Sequence, residues 1–311
     1  MSENNSKNYT QSENYSQYMK TIGWEVITFQ SKYFIYIKKL NFLNLSIVKI
    51  PRAETNINYA EIDKISKKHH ALLIKIEPDE KNSEQFNKNK QKLLKLGFCR
   101  DNFPILQTKT IIVDLKLSND QLLASLRSET RHHLRKSWKQ NFHTKIIINN
   151  QSLESEKAIN DFYALFENCA KERKFYTPFK TQMQTLWNCF REKATIILVY
   201  EKDNQKPLSG ALILTHGNTA YYKYGASIPY GRNKYSSYFL FWEMFKWAKK
   251  SGFKNFDLEG IYDERYHRTQ KYVGFTQFKK GWSKNEVTYL GSFTKYYSLP
   301  LKLLAKIGIL V

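Results

Sequence analysis

Cysteine is scarce in this 311-residue sequence, and the three present, Cys99, Cys169 and Cys189, are scattered. An odd, unclustered set argues against a disulfide framework or a cysteine-built zinc site and fits free thiols in a reducing cytoplasm. No stretch approaches the roughly 18–20 uncharged apolar residues that a membrane span requires. Residues 1–18 are rich in Asn, Ser, Gln and Tyr without an apolar run, so they read as no signal peptide. The expectation is a soluble, cytoplasmic protein. The phosphate-cradling pattern Gly-x-x-x-x-Gly-Lys-Ser/Thr is missing as well. His69-His70 and His132-His133 are adjacent pairs, which cannot share one helix face as metal ligands commonly do. Neither a metal nor a cofactor is expected. Acidic residues are short too, 28 against 50 Lys and Arg, for a formal charge of +22. Such an excess points to a polyanionic partner: nucleic acid, an anionic membrane face or a phosphorylated metabolite. Compositional bias is the competing reading, because Lys greatly outnumbers Arg while Asn, Ile and Tyr are also abundant.

What is present suffices for about two domains, with 41% hydrophobic and 15% aromatic residues to fill their cores. Short runs rich in β-branched and aromatic residues predict strands at 24–30, 33–39 and 43–49. A helix over 59–68, a strand over 71–77 stopped by Pro78, a helix over 84–96 ended by Gly97, and a strand over 110–115 follow. The first lobe reads β-β-β-α-β-α-β. After helices at 154–173 and 179–192, the second lobe repeats that order. Its strands are 194–201, 208–216 and 219–225, with turns at Asp203-Asn204 and Gly217-Asn218. A helix over 236–250 closed by Gly252, a strand over 254–258, a helix over 264–273 ended by Gly274 and a strand over 286–293 complete it. Residues 71–77 take the place of 253–259, and Leu96-Gly97-Phe98 that of Val273-Gly274-Phe275. The shared order supports an internal duplication. It is the order of the GNAT-type acyltransferase lobe, in which an acyl donor and an amine meet beside a splayed central strand. The lobes are expected at 1–145 and 146–293, with the apolar segment 294–311 packing back on the first; membrane-surface contact is that segment's alternative.

Between the lobes, residues 119–140 predict one long helix. Arg127, Arg131, Arg135 and Lys139 recur every four residues as a basic stripe, an anion-facing surface or a solvated face. Leu122, Leu126, Leu134 and Trp138 form the neighbouring apolar stripe. If coenzyme A were the donor, the loop before the 236–250 helix would read Arg/Gln-x-x-Gly-x-Gly/Ala, whose glycines admit phosphate to backbone N–H groups. The residues are Arg232-Asn233-Lys234-Tyr235-Ser236-Ser237, and Tyr235 and Ser237 fill both small positions. Coenzyme A is disfavoured.

Several strings remain in the second lobe: Tyr221 to Ser227, Arg232, Phe239 to Glu243, Ala248 to Gly252, Phe256 to Ile261, Gly274 to Lys279 and Tyr289-Leu290-Gly291. Upstream stand Gln11-Ser12, Tyr15, Gly23-Trp24 and the Leu126-Arg127…Arg131…Leu134-Arg135-Lys136 series. In this ordered set the sequence resembles the Fem-type (FemABX) aminoacyltransferases, which build peptidoglycan interpeptide bridges. The resemblance covers nearly the whole chain and is to the shorter members, without a coiled-coil arm. It implies two tandem GNAT-like lobes, mixed α/β sheets flanked by helices. It also implies transfer of an aminoacyl group from aminoacyl-tRNA to the amine of a stem peptide, on a UDP-linked muropeptide or lipid II.

By the same resemblance Lys279 stabilises the tetrahedral intermediate, and Arg232 binds acceptor phosphate. Lys20 corresponds to a second phosphate-binding lysine, although Met19 falls at the matching position. Tyr262, Tyr266 and Tyr272 are candidates for acceptor contact or for packing. The family's Asp-x-Gly-Gly is here Asp257-Leu258-Glu259-Gly260. Glu259 is then a base for the acceptor ammonium or the partner of a nearby lysine, and Asp257 orients the acceptor amine. The implied enzyme is a monomer, with lipid II placing it at the inner membrane face. Two alternatives stand beside it: a GNAT-fold N-acyltransferase using another donor, and a non-catalytic RNA-binding protein.

Overall fold

A computed structural model describes residues 8–40, 44–202 and 204–306. In chain order they form α1 (Glu13–Thr21), β1 (Glu25–Phe29), β2 (Tyr33–Leu40), β3 (Leu45–Pro51), α2 (Tyr59–Lys68), β4 (Ala71–Glu77), α3 (Phe86–Lys95) and β5 (Cys99–Arg100). Then come β6 (Lys109–Asp114), α4 (Asn119–Ser125), α5 (Ser128–Trp138), β7 (Phe142–Ile148), α6 (Leu153–Arg173), α7 (Lys180–Phe190), β8 (Ala194–Glu201), β9 (Ser209–His216) and β10 (Thr219–Ser227). The last elements are α8 (Pro229–Asn233), α9 (Ser236–Lys250), β11 (Asn255–Gly260), α10 (Val273–Lys280), β12 (Glu286–Thr288), β13 (Phe293–Tyr296) and α11 (Leu299–Lys306).

The chain makes two compact units. One comprises Met1–Thr110, Gly260–Val273 and Val287–Val311; the other comprises Ile111–Glu259 and Gly274–Glu286. The boundary between the units lies at 110/111, and β13 and α11 fall in the first unit. Strand exchange is the reason. The sheet orders are β1-β2-β3-β4-β13-β5 and β12-β6-β11-β10-β9-β8-β7. Strand β6, expected to finish the first lobe, sits between β11 and β12 in the second sheet. The expected single strand 286–293 splits at Tyr289 to Ser292 into β12 and β13, and β13 lies in the first sheet, hydrogen-bonded to β4 and β5.

In the first unit, Phe29, Ile35, Ile37, Val48, Ile50, Ile62, Ile74, Ile76, Leu93 and Phe98 form one apolar core. Gln11 ties the N-terminal segment to this sheet. Its amide donates to Phe34 O (3.2 Å) and Pro51 O (2.5 Å) and accepts from Phe34 N–H (2.6 Å), which satisfies a fully buried side chain. In the second unit β8 and β9 are buried at every position but the last. Both α6 and α9 pack on these strands and on β10, so the two helices cover opposite faces. The longest helix of the described residues is α6, and none of their helices is long and apolar enough to cross a membrane.

The expected 119–140 helix is two helices. Leu126 is extended (φ −65°, ψ 152°), and the Arg131 guanidinium donates to Ala124 O (2.7 Å) and Leu126 O (2.6 Å), capping the carbonyls that the break leaves open. The expected 264–273 helix is a 3₁₀ segment over His267–Tyr272 that runs into α10. Gly274 thus opens a helix, whereas Gly97 (φ +85°) closes one, and the two are not equivalent.

Candidate active site

The second unit's sheet opens where its two central parallel strands part. β10 and β11 pair only at Thr219↔Asn255, Ala220↔Phe256 and Tyr221↔Asp257, after which β10 continues to Ser227 along β9 alone. A bulge between Tyr222 and Tyr224 turns the strand at that point. The corresponding strands of the first unit do not part: β3 and β4 stay paired through Pro51↔Glu77, and Arg52 N–H still donates to Glu77 O (2.7 Å). Beyond Tyr221 and Asp257 the ends of β10 and β11 are therefore not paired with each other.

Tyr222 borders the opening. A Cβ built at Gly225 would stand 1.6 Å from the Tyr222 hydroxyl, so the ring lies over its own strand only because residue 225 is glycine. Burial pushes the phenol's pKa above the usual tyrosine range. Lys279 enters from α10. Its Nζ stands 5.7 Å from the centroid of the Tyr222 ring and donates to Glu259 O at 3.4 Å. At 8% exposure its ammonium is poorly hydrated, and burial brings its pKa down to about 8 against the opposing pull of Glu259 and Asp257.

Rigid packing holds this lysine. Phe278 and Trp282 flank it in sequence and meet Phe241 of α9 at 4.8 and 5.4 Å between centroids. The start of α5 closes on the end of the same helix. Arg127 N–H donates to Gly281 O (3.0 Å), and a Cβ at Gly281 would meet Thr130 Oγ1 at 2.1 Å. Asp257 and Glu259 end β11, 5% and 7% exposed. Glu259 N–H donates to Asp257 Oδ1 (2.7 Å), and Glu259 has φ +59°. A buried ammonium, two buried carboxylates and a phenol thus meet beside the parted strands. Fixed positive charge in a dry site is what an oxyanion needs, and carboxylates suit an ammonium.

Residues 198–306 match the model of the FemAB family. Over 94 residues the chain is 32% identical to the lipid II:glycine glycyltransferase of Staphylococcus haemolyticus (strain JCSC1435), which takes in 30% of this chain and 22% of that one. The match thus spans about a fifth of the length of the curated relatives. Among solved structures, the crystal structure of FemX superposes with a TM-score of 0.78 at 19% identity, covering 97% of this chain and 95% of that one. A tandem GNAT protein from the clavulanic acid biosynthesis pathway superposes with a TM-score of 0.52 at 8% identity, covering 88% and 82%. These likenesses show the fold: two tandem GNAT-like lobes.

The segment that matches the FemAB model carries the parted strands, Asp257, Glu259, Lys279 and Arg232. Arg232, on α8, is held by the Glu172 carboxylate and the Ser227 carbonyl, so its guanidinium is oriented from both. The loop after it keeps a glycine-like backbone without a glycine. Tyr235 has φ +64°, and its ring stacks on His133 at 4.9 Å, with Lys136 Nζ 5.4 Å from its centroid. On α5, Arg127, Arg135 and Lys139 are exposed, whereas Arg131 is spent on the carbonyls of α4. In the apolar stripe Leu122, Leu126 and Leu134 are buried and Trp138 is exposed.

Lys20, exposed in the last turn of α1, and half-buried Tyr262 and Tyr272 lie in the first unit. Tyr266 is 1% exposed, with its hydroxyl accepting from Ser292 N–H (3.1 Å), so it packs and leaves no face for an acceptor. No cluster of metal-ligating side chains occurs among the described residues. Sequence reasoning assigned no role to Tyr222, Gly225, Thr130 or Glu172. The glycine three residues after Tyr222 is the one signal that pointed there.

Proposed function

We propose that this chain is an aminoacyltransferase that moves an amino acid from aminoacyl-tRNA to the amine of a peptidoglycan-precursor stem peptide. The buried Lys279 ammonium at the open end of the β10–β11 pair, within the FemAB-family segment, is the observation that carries this reading. An amine attacking an ester passes through a tetrahedral oxyanion, and a preorganised ammonium in a dry site stabilises it. With a pKa near 8, Lys279 stays largely charged at neutral pH. Its poor hydration leaves that charge available to the developing alkoxide.

The acceptor is lipid II or a UDP-linked muropeptide, and either brings a diphosphate. Arg232 is suited to phosphate by its planar fork, with Glu172 fixing one side of it. Arg127, Arg135 and Lys139 supply an exposed cationic surface for the tRNA backbone. Tyr235 and Ser237 occupy the small-residue positions that a coenzyme A pyrophosphate needs, which favours tRNA as donor. Work on a lipid-linked acceptor takes place at the cytoplasmic membrane face, and exposed Leu299 and Leu303 of α11 offer apolar contact there.

The test is transfer of label. The protein is incubated with lipid II or UDP-muropeptide and radiolabelled aminoacyl-tRNAs, with acetyl-coenzyme A in parallel. Label reaching the muropeptide from tRNA alone, and lost in Lys279→Ala, is expected. Label from acetyl-coenzyme A instead, or undiminished transfer by Lys279→Ala, overturns the proposal.

A further inference from the structure

The turn between α6 and α7 holds aromatic rings out to solvent. Lys174 closes α6 in the left-handed conformation (φ +54°). Phe175 then packs back: its N–H donates to Ala170 O (3.2 Å), and its ring meets that of buried Phe166 at 5.7 Å. At the other end the Tyr163 hydroxyl donates to Pro178 O (3.4 Å), and Met183 N–H donates to Phe179 O (3.1 Å) as α7 begins. Both ends of the turn are thus pinned, yet Tyr176 is 81% and Phe179 65% exposed. A third ring, Phe275 of α10, is 42% exposed, with the Arg173 guanidinium 5.8 Å from its centroid.

Cations surround these rings. Arg173, Lys174 and Lys180 are exposed. The carboxylates nearest in sequence are engaged elsewhere, Glu167 with Lys171 (2.9 Å) and Glu172 with Arg232. The turn therefore keeps a net positive charge. Single exposed apolar side chains are ordinary, but rings grouped among cations have the composition of a surface that meets an anionic bilayer. Rings settle at the boundary between headgroups and acyl chains, and Lys and Arg are drawn to lipid phosphate. Single-stranded RNA also takes rings and cations, but it binds in a groove that tracks its backbone, and rings so exposed stand clear of one.

We infer that the α6–α7 turn is a membrane-docking surface, seated on an anionic lipid bilayer with Tyr176 and Phe179 among the headgroups. The surface stands on its rings and cations alone. Its closeness to a lipid-linked acceptor rests on the aminoacyl-transfer reading. Glu172, which holds Arg232, directly precedes Arg173, so a bilayer seated on the turn lies beside the guanidinium assigned to acceptor diphosphate. A diphosphate whose lipid chain stays in the bilayer sits at that same headgroup level.

Sedimentation of the full chain with vesicles tests this, using phosphatidylcholine alone and phosphatidylcholine mixed with phosphatidylglycerol. The wild type should sediment with the anionic vesicles and stay in solution with the neutral ones. Lys174→Gln with Lys180→Gln should weaken binding about 25-fold, because each cation near an anionic surface is worth about fivefold. Tyr176→Ser with Phe179→Ser should weaken it about tenfold through the lost rings, with near-native circular dichroism. Emission of Phe179→Trp should be quenched by brominated lipid in anionic vesicles beyond that of the wild type. Both double variants should keep tRNA binding and transfer to UDP-muropeptide within about twofold, and lose transfer to vesicle-borne lipid II about tenfold. A wild type that ignores anionic vesicles, undiminished binding by both double variants, or an unquenched Phe179→Trp overturns the inference. So does an equal loss of transfer to both acceptors, which makes the rings part of a substrate site. Loss of tRNA binding with vesicle binding intact makes the turn an RNA surface and overturns it too. Vesicle binding that depends on these residues, with no transfer from tRNA to either acceptor, overturns the aminoacyl-transfer reading and leaves the docking surface standing.

Discussion

Replacing Lys279 with methionine should make the protein more stable and nearly inactive. Burial lowers the lysine's pKa from 10.5 to about 8 even with Asp257 and Glu259 pulling the other way. That shift measures the net cost of holding the charged form in the folded state. At about 1.4 kcal/mol per pKa unit, the cost is about 3 kcal/mol. Because the folded pKa lies below the unfolded one, the unfolded chain binds more protons between these values. The cost is therefore present in full below about pH 8 and fades as pH rises toward 10.5. Methionine keeps the apolar stem and its contacts while carrying no charge. Denaturant melts of Lys279→Met and wild type should thus differ by about 3 kcal/mol at pH 7 in the variant's favour and converge above pH 10.5. Loss of an oxyanion contact should lower kcat about 10²- to 10³-fold. A variant less stable than wild type at pH 7, a difference that ignores pH, or transfer within tenfold of wild type would each refute the reasoning.

Gly281→Ala should cost about 1–3 kcal/mol, because the new methyl meets Thr130 Oγ1 at 2.1 Å. Adding Thr130→Ala should recover much of that in a double-mutant cycle read by thermal melts. Gly225→Ala should push the Tyr222 ring from its seat and lower kcat by about 10- to 100-fold, with near-native circular dichroism as the control. Arg135→Ala with Lys139→Ala should weaken tRNA binding and flatten its log–log salt dependence by about 2, measured by filter binding. Arg131→Ala should lower the melting temperature instead, since its guanidinium holds the α4 carbonyls.

Elements signalled by local chemistry were legible in the sequence. The bounds of α2, β4, β8 and α9 agree with those expected, because each is a continuous apolar or amphipathic run, with Pro78 stopping β4. Gly252 with φ +85° after α9 is one such stop. What failed is non-local. Nothing in residues 109–114 states that they pair with β11, nor in 293–296 that they pair with β4, since any alternating strand fits several edges. The break at Leu126 was hidden because Leu122 and Leu126 keep helical spacing across it. Residue type alone marks Gly274 as a stop, whereas a glycine in a first turn adopts ordinary helical φ. Lys279 was found through a motif, but its burial and its two facing carboxylates emerge only once α10 and β11 meet.

The duplicated lobes differ in one hydrogen-bonding decision. In the first, pairing of β3 with β4 runs to its end, and the Arg52 and Glu77 side chains there are consumed. Arg52 lies 3.5 Å from the Tyr289 ring centroid and donates to the Pro78 and Gln107 carbonyls, while Glu77 accepts from two backbone N–H groups. A sheet whose last polar groups are satisfied has nothing to offer a substrate. In the second, pairing stops after Tyr221↔Asp257, and β10 bends away at its bulge. Charge that would be wasteful in a closed sheet then has a use. Lys279 is held at a cost to stability, and Glu259 is held in a strained backbone, both beside the parted strands. Strain and buried charge collected at one end of one sheet, where the first sheet spends Arg52 and Glu77 on structure, are the reason the proposed chemistry is assigned to the second unit.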